Sequence, residues 1–293
     1  MSHSRRDTVS QALRKAWSPQ LQKIHACEYA VLAGSDAIEA LHQLRVALRT
    51  TRALLRLFRD YLPDSEALAS ELAWLSGALN RARDLDIVAA FLQRSSEDVS
   101  ASDQKKFNAL LRALESQRDE QRFKLQKLLH TRRYHRLLKE WRNFIEIRLC
   151  DEDIPNTSNI PFGSAWRVVA LGQILGVLRE LRRLGDAAKP AELHRLRIRC
   201  KRLRYLLEAK PDSGRKQITV AALVKSLVRL QNILGQSQDV VVIRSWLVQV
   251  EQKKNSSLRV PAGCYVAAER QRQKMSAALP NAWRAFVKSA GGI

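Results

Sequence analysis

The sequence contains few residues that break helices or cross-link chains. Its 293 residues include 11 glycines, 8 prolines and 4 cysteines. The cysteines, Cys27, Cys150, Cys200 and Cys264, lie far apart and form neither a CxxC motif nor a Cys/His cluster. This spacing argues against a disulfide scaffold and a zinc site, and it is typical of small core residues in a reducing compartment.

Long apolar runs are also missing. No run of 18 or more apolar residues occurs, and the first residues, MSHSRRDTVSQ, lack the apolar stretch of a signal peptide. We therefore expect a soluble cytoplasmic protein that has no membrane partner.

Acidic residues are too few to balance the basic ones. There are 29 Asp and Glu against 51 Lys and Arg, which gives a formal net charge of +22. Such an excess predicts a polyanionic partner: nucleic acid, an anionic membrane surface or inorganic polyphosphate.

Glycine and proline are nearly confined to short clusters that divide the chain. The segments between these clusters show helical rather than alternating periodicity, which predicts about eight long helices and no strand. The fold class is therefore all-α. The longest break falls near the middle of the chain, and we assign residues 151–162 to a linker.

One segment, residues 39–58, carries a basic stripe along a helix. At about 100° per residue its cations share one arc: His42, Arg45, Arg49, Arg52 and Arg56. Apolar residues flank this arc on both sides, among them Leu44 and Leu48 on one side and Val46 and Ala53 on the other. A stripe between two apolar flanks predicts arginines that line a cleft rather than a fully solvated face.

The two halves of the chain are related by an internal repeat. LHQLRVALRTTR (41–52) aligns with LHRLRIRCKRLR (193–204), so that the basic positions of the first stripe correspond to those of a second: His194, Arg197, Lys201 and Arg204. In each half a leucine-rich helix follows, WLSGALNRARDLD (74–86) and RLQNILGQSQDVV (229–241), and Asp84 corresponds to Asp239.

This repeat predicts two pseudo-symmetric four-helix bundles, residues 7–150 and 163–288, with the two stripes facing each other around a basic central cleft or pore. Three further arginines of the second repeat, Arg195, Arg199 and Arg202, fall on the opposite side of their helix. We expect them to point to solvent.

Four motifs together resemble the CHAD family. They are HxxRVAxR from His42, RDLD at 83–86, LHRLRxxxKRLRYxLE from Leu193 and LGxxQD at 234–239. The resemblance covers residues 7–288 as a single CHAD domain. It implies a fold of two four-helix bundles, a basic central surface that binds inorganic polyphosphate, and a role in polyphosphate granules or polyphosphate metabolism.

Some features of the family pattern are absent. Many relatives carry an added triphosphate-tunnel enzyme domain with an ExExK motif, which this sequence lacks, so we expect a binding domain alone. In the first half, Thr50 and Thr51 follow Arg49 and reduce the local positive charge. In the second half, Gln238 occupies the position that corresponds to Arg83. The second half is therefore expected to bind less tightly.

We assign polyphosphate binding to the two stripes and to one arginine of the following helix: His42, Arg45, Arg49, Arg52, Arg56, Arg83, His194, Arg197, Lys201 and Arg204. Asp84 and Asp239 are assigned as carboxylates that orient these arginines. The histidines could instead be buried residues bonded to a neighbouring helix. No metal site or cofactor is expected. The sequence shows no nucleophile paired with a general base, so we do not expect an enzyme.

The sequence thus predicts non-catalytic binding of inorganic polyphosphate and association with polyphosphate granules. Nucleic-acid binding through the same basic surface is the main alternative. Proteins that bind single strands usually place aromatic side chains among their basic residues to stack bases, and no tryptophan falls within either stripe. We expect nucleic acid to be at most a weaker competitor. An accessory factor that delivers polyphosphate, or that binds an enzyme of its metabolism, is a third interpretation.

Overall fold

The computed structural model describes residues 7–33, 37–62, 64–150, 159–184, 189–209, 217–252 and 258–291. In these ranges the chain forms nine α-helices and four short 3-10 turns without a β-strand, and Thr8 and Pro161 form an isolated bridge. The predicted all-α fold class is confirmed.

Five helices lie in the first half of the chain: α1 (Val9–Ala33), α2 (Ala37–Leu57), α3 (Glu66–Ser95), α4 (Gln104–Leu129) and α5 (Arg132–Glu146). The expected number of about eight was one too low because only two residues, His130 and Thr131, separate α4 from α5, and neither is glycine or proline. There Thr131 caps α5, and its side chain accepts a hydrogen bond from the Tyr134 backbone N–H at 3.3 Å.

Four helices lie in the second half: α6 (Phe162–Arg183), α7 (Pro190–Glu208), α8 (Gln217–Gln252) and α9 (Ala262–Ala290). Proline at the start of α7 fits the first helical turn, where its missing N–H costs no hydrogen bond. Residues 151–158 of the predicted linker lie outside the described residues, and Phe162 already belongs to α6.

Equivalent helices of the two halves pack against each other. Helix α2 contacts α7, and α3 contacts α8. One apolar cluster lies mainly within the first half and a second within the second half, but a third joins them. In this third cluster Val88 and Phe91 of α3 share a core with Ile243 and Leu247 of α8. The boundaries of the two predicted bundles stay a prediction.

The described helices include none that is both long and apolar enough to cross a membrane.

Candidate functional site

The packing of α2 against α7 brings the two basic stripes together. Apolar residues such as Leu44, Leu48 and Leu196 are fully buried beneath the contact. The arginines next to them are half-buried, because the helical spacing places them at the edge of the core. The apolar flanks found in the sequence therefore correspond to packing between helices.

Five cations from three helices act on one another's charge, and we call them the central cluster: Arg45 and Arg49 of α2, Arg83 of α3, and Arg197 and Lys201 of α7. Burial, followed by the charges of the four arginines, lowers the pKa of Lys201 to about 7. Burial, with repulsion from Arg83 and Arg49, likewise lowers the pKa of Arg45 to about 10.

The central cluster has few partners within the protein. Among the described residues, its one ion pair joins Nη2 of Arg83 to Oδ1 of Asp239 at 4.0 Å. The Nε atoms of Arg45, Arg49 and Arg197 are buried and meet no hydrogen-bond acceptor in the described part of the chain. An unsatisfied buried donor costs about 1–3 kcal/mol, and more when it is charged, so a bound anion would relieve a real penalty.

Asp84 and Asp239 lie among these cations, as half-buried side chains of α3 and α8. Burial raises the pKa of both carboxyl groups, and Arg83 and Arg197 oppose that rise. Two carboxylates against five cations leave the cluster positive. Asp84 and Asp86 point in different directions, since Asp86 binds Arg118 of α4 with 3.1 Å between Oδ1 and Nη2.

Both histidines are exposed at the surface, so neither fits the buried alternative. Nδ1 of His194 lies 2.7 Å from Oε1 of Gln238, which gives this glutamine a role that its comparison with Arg83 did not suggest. His42 lies beside Arg45 and lines a recess between α2 and α3. Both side chains flank the central cluster rather than belong to it.

Arg52, Arg56 and Arg204 lie towards the C-terminal ends of their helices. Burial, followed by the charge of the exposed Arg56, lowers the pKa of Arg52, and the charge of Arg204 acts on Arg49. Arg204 is already engaged, because its Nε donates to Oε1 of Glu208 at 2.6 Å. Sequence analysis missed this ion pair, although opposite charges four residues apart on a helix lie close enough to interact.

Gln231 of α8 is a second residue that sequence analysis missed. Its side chain is buried, and its Nε2 donates to the carbonyl oxygen of Cys200 at 2.6 Å. Its Oε1 accepts a longer bond of 3.5 Å from Nη1 of Arg204. Gln231 thereby ties α8 to α7 next to the second stripe.

The expectation that Arg195, Arg199 and Arg202 point to solvent holds for Arg195, which is exposed, but was wrong for Arg199 and Arg202, which are half-buried. Nε of Arg199 donates to Oε1 of the buried Glu180 at 3.1 Å, and Nε of Arg195 lies 4.0 Å from its other oxygen. Burial, followed by repulsion from Arg56 and Arg199, lowers the pKa of Arg202. Arg199 therefore ties α7 to α6, and Arg195 lies near the same carboxylate at the surface.

No three His, Cys, Asp or Glu side chains of the described residues come close enough together to hold a metal ion. The four cysteines are free, and three of them, Cys27, Cys200 and Cys264, are buried. Basic and amide groups thus dominate the site.

The sequence of this chain matches a known protein family. The family model of the CHAD domain matches residues 15–248. The chain belongs to the CHAD family. This family is related in general to polyphosphate binding or metabolism.

Solved structures support the CHAD fold along the whole chain. The crystal structure of the CHAD domain from the plant Ricinus communis matches with a TM-score of 0.76 and 25% identity, over 100% of this chain and 95% of that one. PptA from Streptomyces chartreusis matches with a TM-score of 0.68 and 18% identity, over 98% and 99% of the two chains. The second match shows the fold alone.

Two curated relatives, both uncharacterised proteins of Mycobacterium tuberculosis from strains CDC 1551 and H37Rv, are 28% identical to this chain over 246 residues. The match covers 81% of this CHAD chain but 45% of each relative. This chain thus spans less than half the length of the curated relatives that it matches.

Proposed function

We propose that the central cluster, together with the stripe residues that flank it, binds inorganic polyphosphate without changing it chemically. The observation that carries this proposal is the set of half-buried cations without acceptors, above all Arg45, Arg49 and Arg197. Phosphate oxygens are strong acceptors, and a guanidinium can donate two parallel hydrogen bonds to one phosphate group.

The shape of the site favours a thin, flexible chain of phosphates. Each stripe offers about one cation per helical turn of 5.4 Å, so successive phosphates can meet successive cations. The cations are half-buried between packed helices, and the rigid backbone of a nucleic-acid duplex would not reach them as easily. Tyr205 is the one aromatic side chain among the groups that act on Arg49 and Arg197, whereas single-stranded nucleic acid is bound by several stacked rings.

We propose binding rather than catalysis because the carboxylates of the site lie among its arginines. The charges of Arg83 and Arg197 act on Asp84 and Asp239, and we propose that the two carboxylates orient these arginines. Release of phosphate from polyphosphate by the purified protein, in the presence of magnesium, would contradict a purely binding role.

A competition experiment tests the proposed ligand. Labelled long-chain polyphosphate is bound to the protein at physiological salt and displaced by unlabelled polyphosphate, DNA or RNA at equal phosphate concentration. We expect polyphosphate to displace the label at a much lower concentration than either nucleic acid. Equal displacement by DNA or RNA would favour the nucleic-acid alternative.

We also propose that this binding brings the protein to polyphosphate granules in the cytoplasm. A fluorescent fusion of the full chain should concentrate on granules, and a fusion with Arg45, Arg49 and Arg197 changed to glutamine should not. If both fusions reach the granules equally, a protein partner recruits the chain, as the accessory-factor interpretation holds.

A further inference from the structure

A recess of about 530 Å³ opens beside the central cluster, between α2, α3 and α4. This volume lies within the range of about 300–1,000 Å³ that small-molecule sites have. Its walls are largely apolar and include Leu41, Leu79, Ile87 and the small residues Ala82, Ala89 and Ala90. The apolar part of these walls offers nothing to a phosphate group, which would lose hydration there without gaining hydrogen bonds.

The recess is continuous with the central cluster. Arg45 and Arg83 line the recess and also belong to the cluster, where the charges of both act on Lys201 and that of Arg83 also acts on Arg197. A ligand that fills the recess would therefore have its charged end next to the unpaired cations.

One edge of the recess is polar. Asp86 accepts a hydrogen bond from Arg118, and its carboxylate has further acceptor sites because the side chain is 48% exposed. The amide of Gln93, which is also exposed, can both donate and accept. His42 lines the side nearer α2 and can lie against a flat ring. A purely hydrocarbon ligand would leave these groups unused.

We propose that the recess binds the base and sugar of a nucleoside oligophosphate whose phosphates enter the central cluster. Apolar walls suit the faces of a heteroaromatic ring, and Asp86 and Gln93 suit the hydrogen-bonding groups at its edge. The inference rests on the proposed function in one respect, since the phosphates use the same cations as inorganic polyphosphate.

The test compares ligands of equal charge. Binding of ATP and of methyl triphosphate, which has the same triphosphate but no base or sugar, is measured by calorimetry in buffer without magnesium. We expect ATP to bind about tenfold more tightly, a difference of about 1.4 kcal/mol. Equal affinity for the two ligands would overturn the proposal, and this comparison needs no variant protein.

A variant locates the effect. Ala90 is exposed on α3, so Ala90→Phe adds a ring in the recess without entering the core. The control is Ala67→Phe, an exposed alanine of the same helix about 34 Å away along its axis. We expect Ala90→Phe to reduce ATP affinity to that of methyl triphosphate and Ala67→Phe to leave it unchanged. An ATP preference that survives in both variants would place the nucleoside elsewhere and overturn the proposal.

Two further ligands separate the remaining outcomes. Geranyl diphosphate that binds more tightly than ADP would show a hydrocarbon site and overturn the nucleoside assignment. Long inorganic polyphosphate should bind the wild type and Ala90→Phe equally. If long polyphosphate binds but ATP shows no preference over methyl triphosphate, the recess proposal fails and the proposed function stands; if no phosphate chain binds, the proposed function fails.

Discussion

The side chain of Lys201 is half-buried among arginines, whereas an ordinary lysine is surrounded by water. Charged groups of four helices act on it: Arg45 and Arg49 of α2, Arg83 of α3, Arg197 of α7 and Asp239 of α8. Burial and the arginine charges lower its pKa to about 7, so in the free protein the amine is neutral at mildly alkaline pH. Bound phosphates would reverse this shift by supplying negative charge.

Polyphosphate affinity should therefore fall as pH rises. Below pH 7 the Lys201 amine is already protonated, whereas above pH 7 binding must take up a proton, which lowers affinity by up to about tenfold per pH unit. Calorimetry with long-chain polyphosphate at pH 6.5, 7.5 and 8.5 measures the slope, roughly one decade across that range or more. Lys201→Arg should flatten it, because a guanidinium stays protonated.

The matched control is Lys225→Arg, at an exposed position of α8. It should retain the pH dependence of the wild type. A slope that is the same in wild type and Lys201→Arg would mean that Lys201 does not carry the proton.

Helical spacing places Arg45 and Arg49, and likewise Arg197 and Lys201, one turn apart on one side of their helices, and the charges of the three arginines act on Lys201. It could not predict that Glu180 holds Arg199, since these residues are 19 apart in sequence and meet only after α6 packs on α7. The link between His194 and Gln238, on different helices, escaped for the same reason.

At the scale of elements, Glu180 fixes α7 against α6. Its side chain is 10% exposed, and it pairs with Arg199 and, more distantly, with Arg195. Close to this contact Gly176 leaves room for Arg199, because a Cβ at Gly176 would lie 2.9 Å from Nη1 of Arg199. The charged side of α7 that faces away from the cleft is thus part of the scaffold.

Glu180→Gln should lower the free energy of unfolding by roughly 1–3 kcal/mol, because it removes a charge-assisted hydrogen bond and leaves Arg199 short of a partner. Urea unfolding measures the change. Glu115→Gln, at an exposed position of α4, should change stability by no more than about 0.5 kcal/mol. Equal stability of the two variants would show that the Glu180 contact contributes nothing.

The helices themselves were largely predictable, since glycine and proline mark most of their ends. Two breaks contain neither residue, 96–103 between α3 and α4 and 130–131 between α4 and α5, and at the second Thr131 caps α5. A capping threonine is a weaker signal in sequence because threonine also occurs within helices.

At the scale of the whole molecule, the charge of +22 and the repulsion within the central cluster oppose folding, and a polyanion should relieve both. Polyphosphate at 100 times its dissociation constant should stabilise the protein by about 2.7 kcal/mol and raise Tm accordingly. Differential scanning calorimetry with sodium chloride at matched ionic strength is the control. A Tm that rises equally in both solutions would indicate general screening of charge.

The internal repeat predicted the most important relation in the molecule, that the two stripes face each other. Helix α2 packs on α7 and α3 on α8. The pseudo-twofold relation of the two halves stays a prediction. The apolar cluster that joins Val88 to Ile243 was not predictable, because periodicity shows which face of a helix is apolar but not which helix will cover it. The recess beside Arg45 is formed by three helices, and the sequence could not predict it for the same reason.

The central claim is that half-buried cations between the two halves, and not the overall charge, bind polyphosphate. The most direct test changes Arg45, Arg49 and Arg197 to glutamine and compares this triple variant with one in which Arg167, Arg179 and Arg182, all exposed on α6, are changed in the same way. Net charge falls equally in the two proteins.

The measurement is the affinity for long-chain polyphosphate at physiological salt. If each contact contributes about 1 kcal/mol after solvent screening, the cluster variant should lose on the order of a hundredfold in affinity, and the α6 variant several-fold at most. Equal losses in the two variants would contradict the account, because they would show that diffuse charge rather than the central cluster binds the ligand.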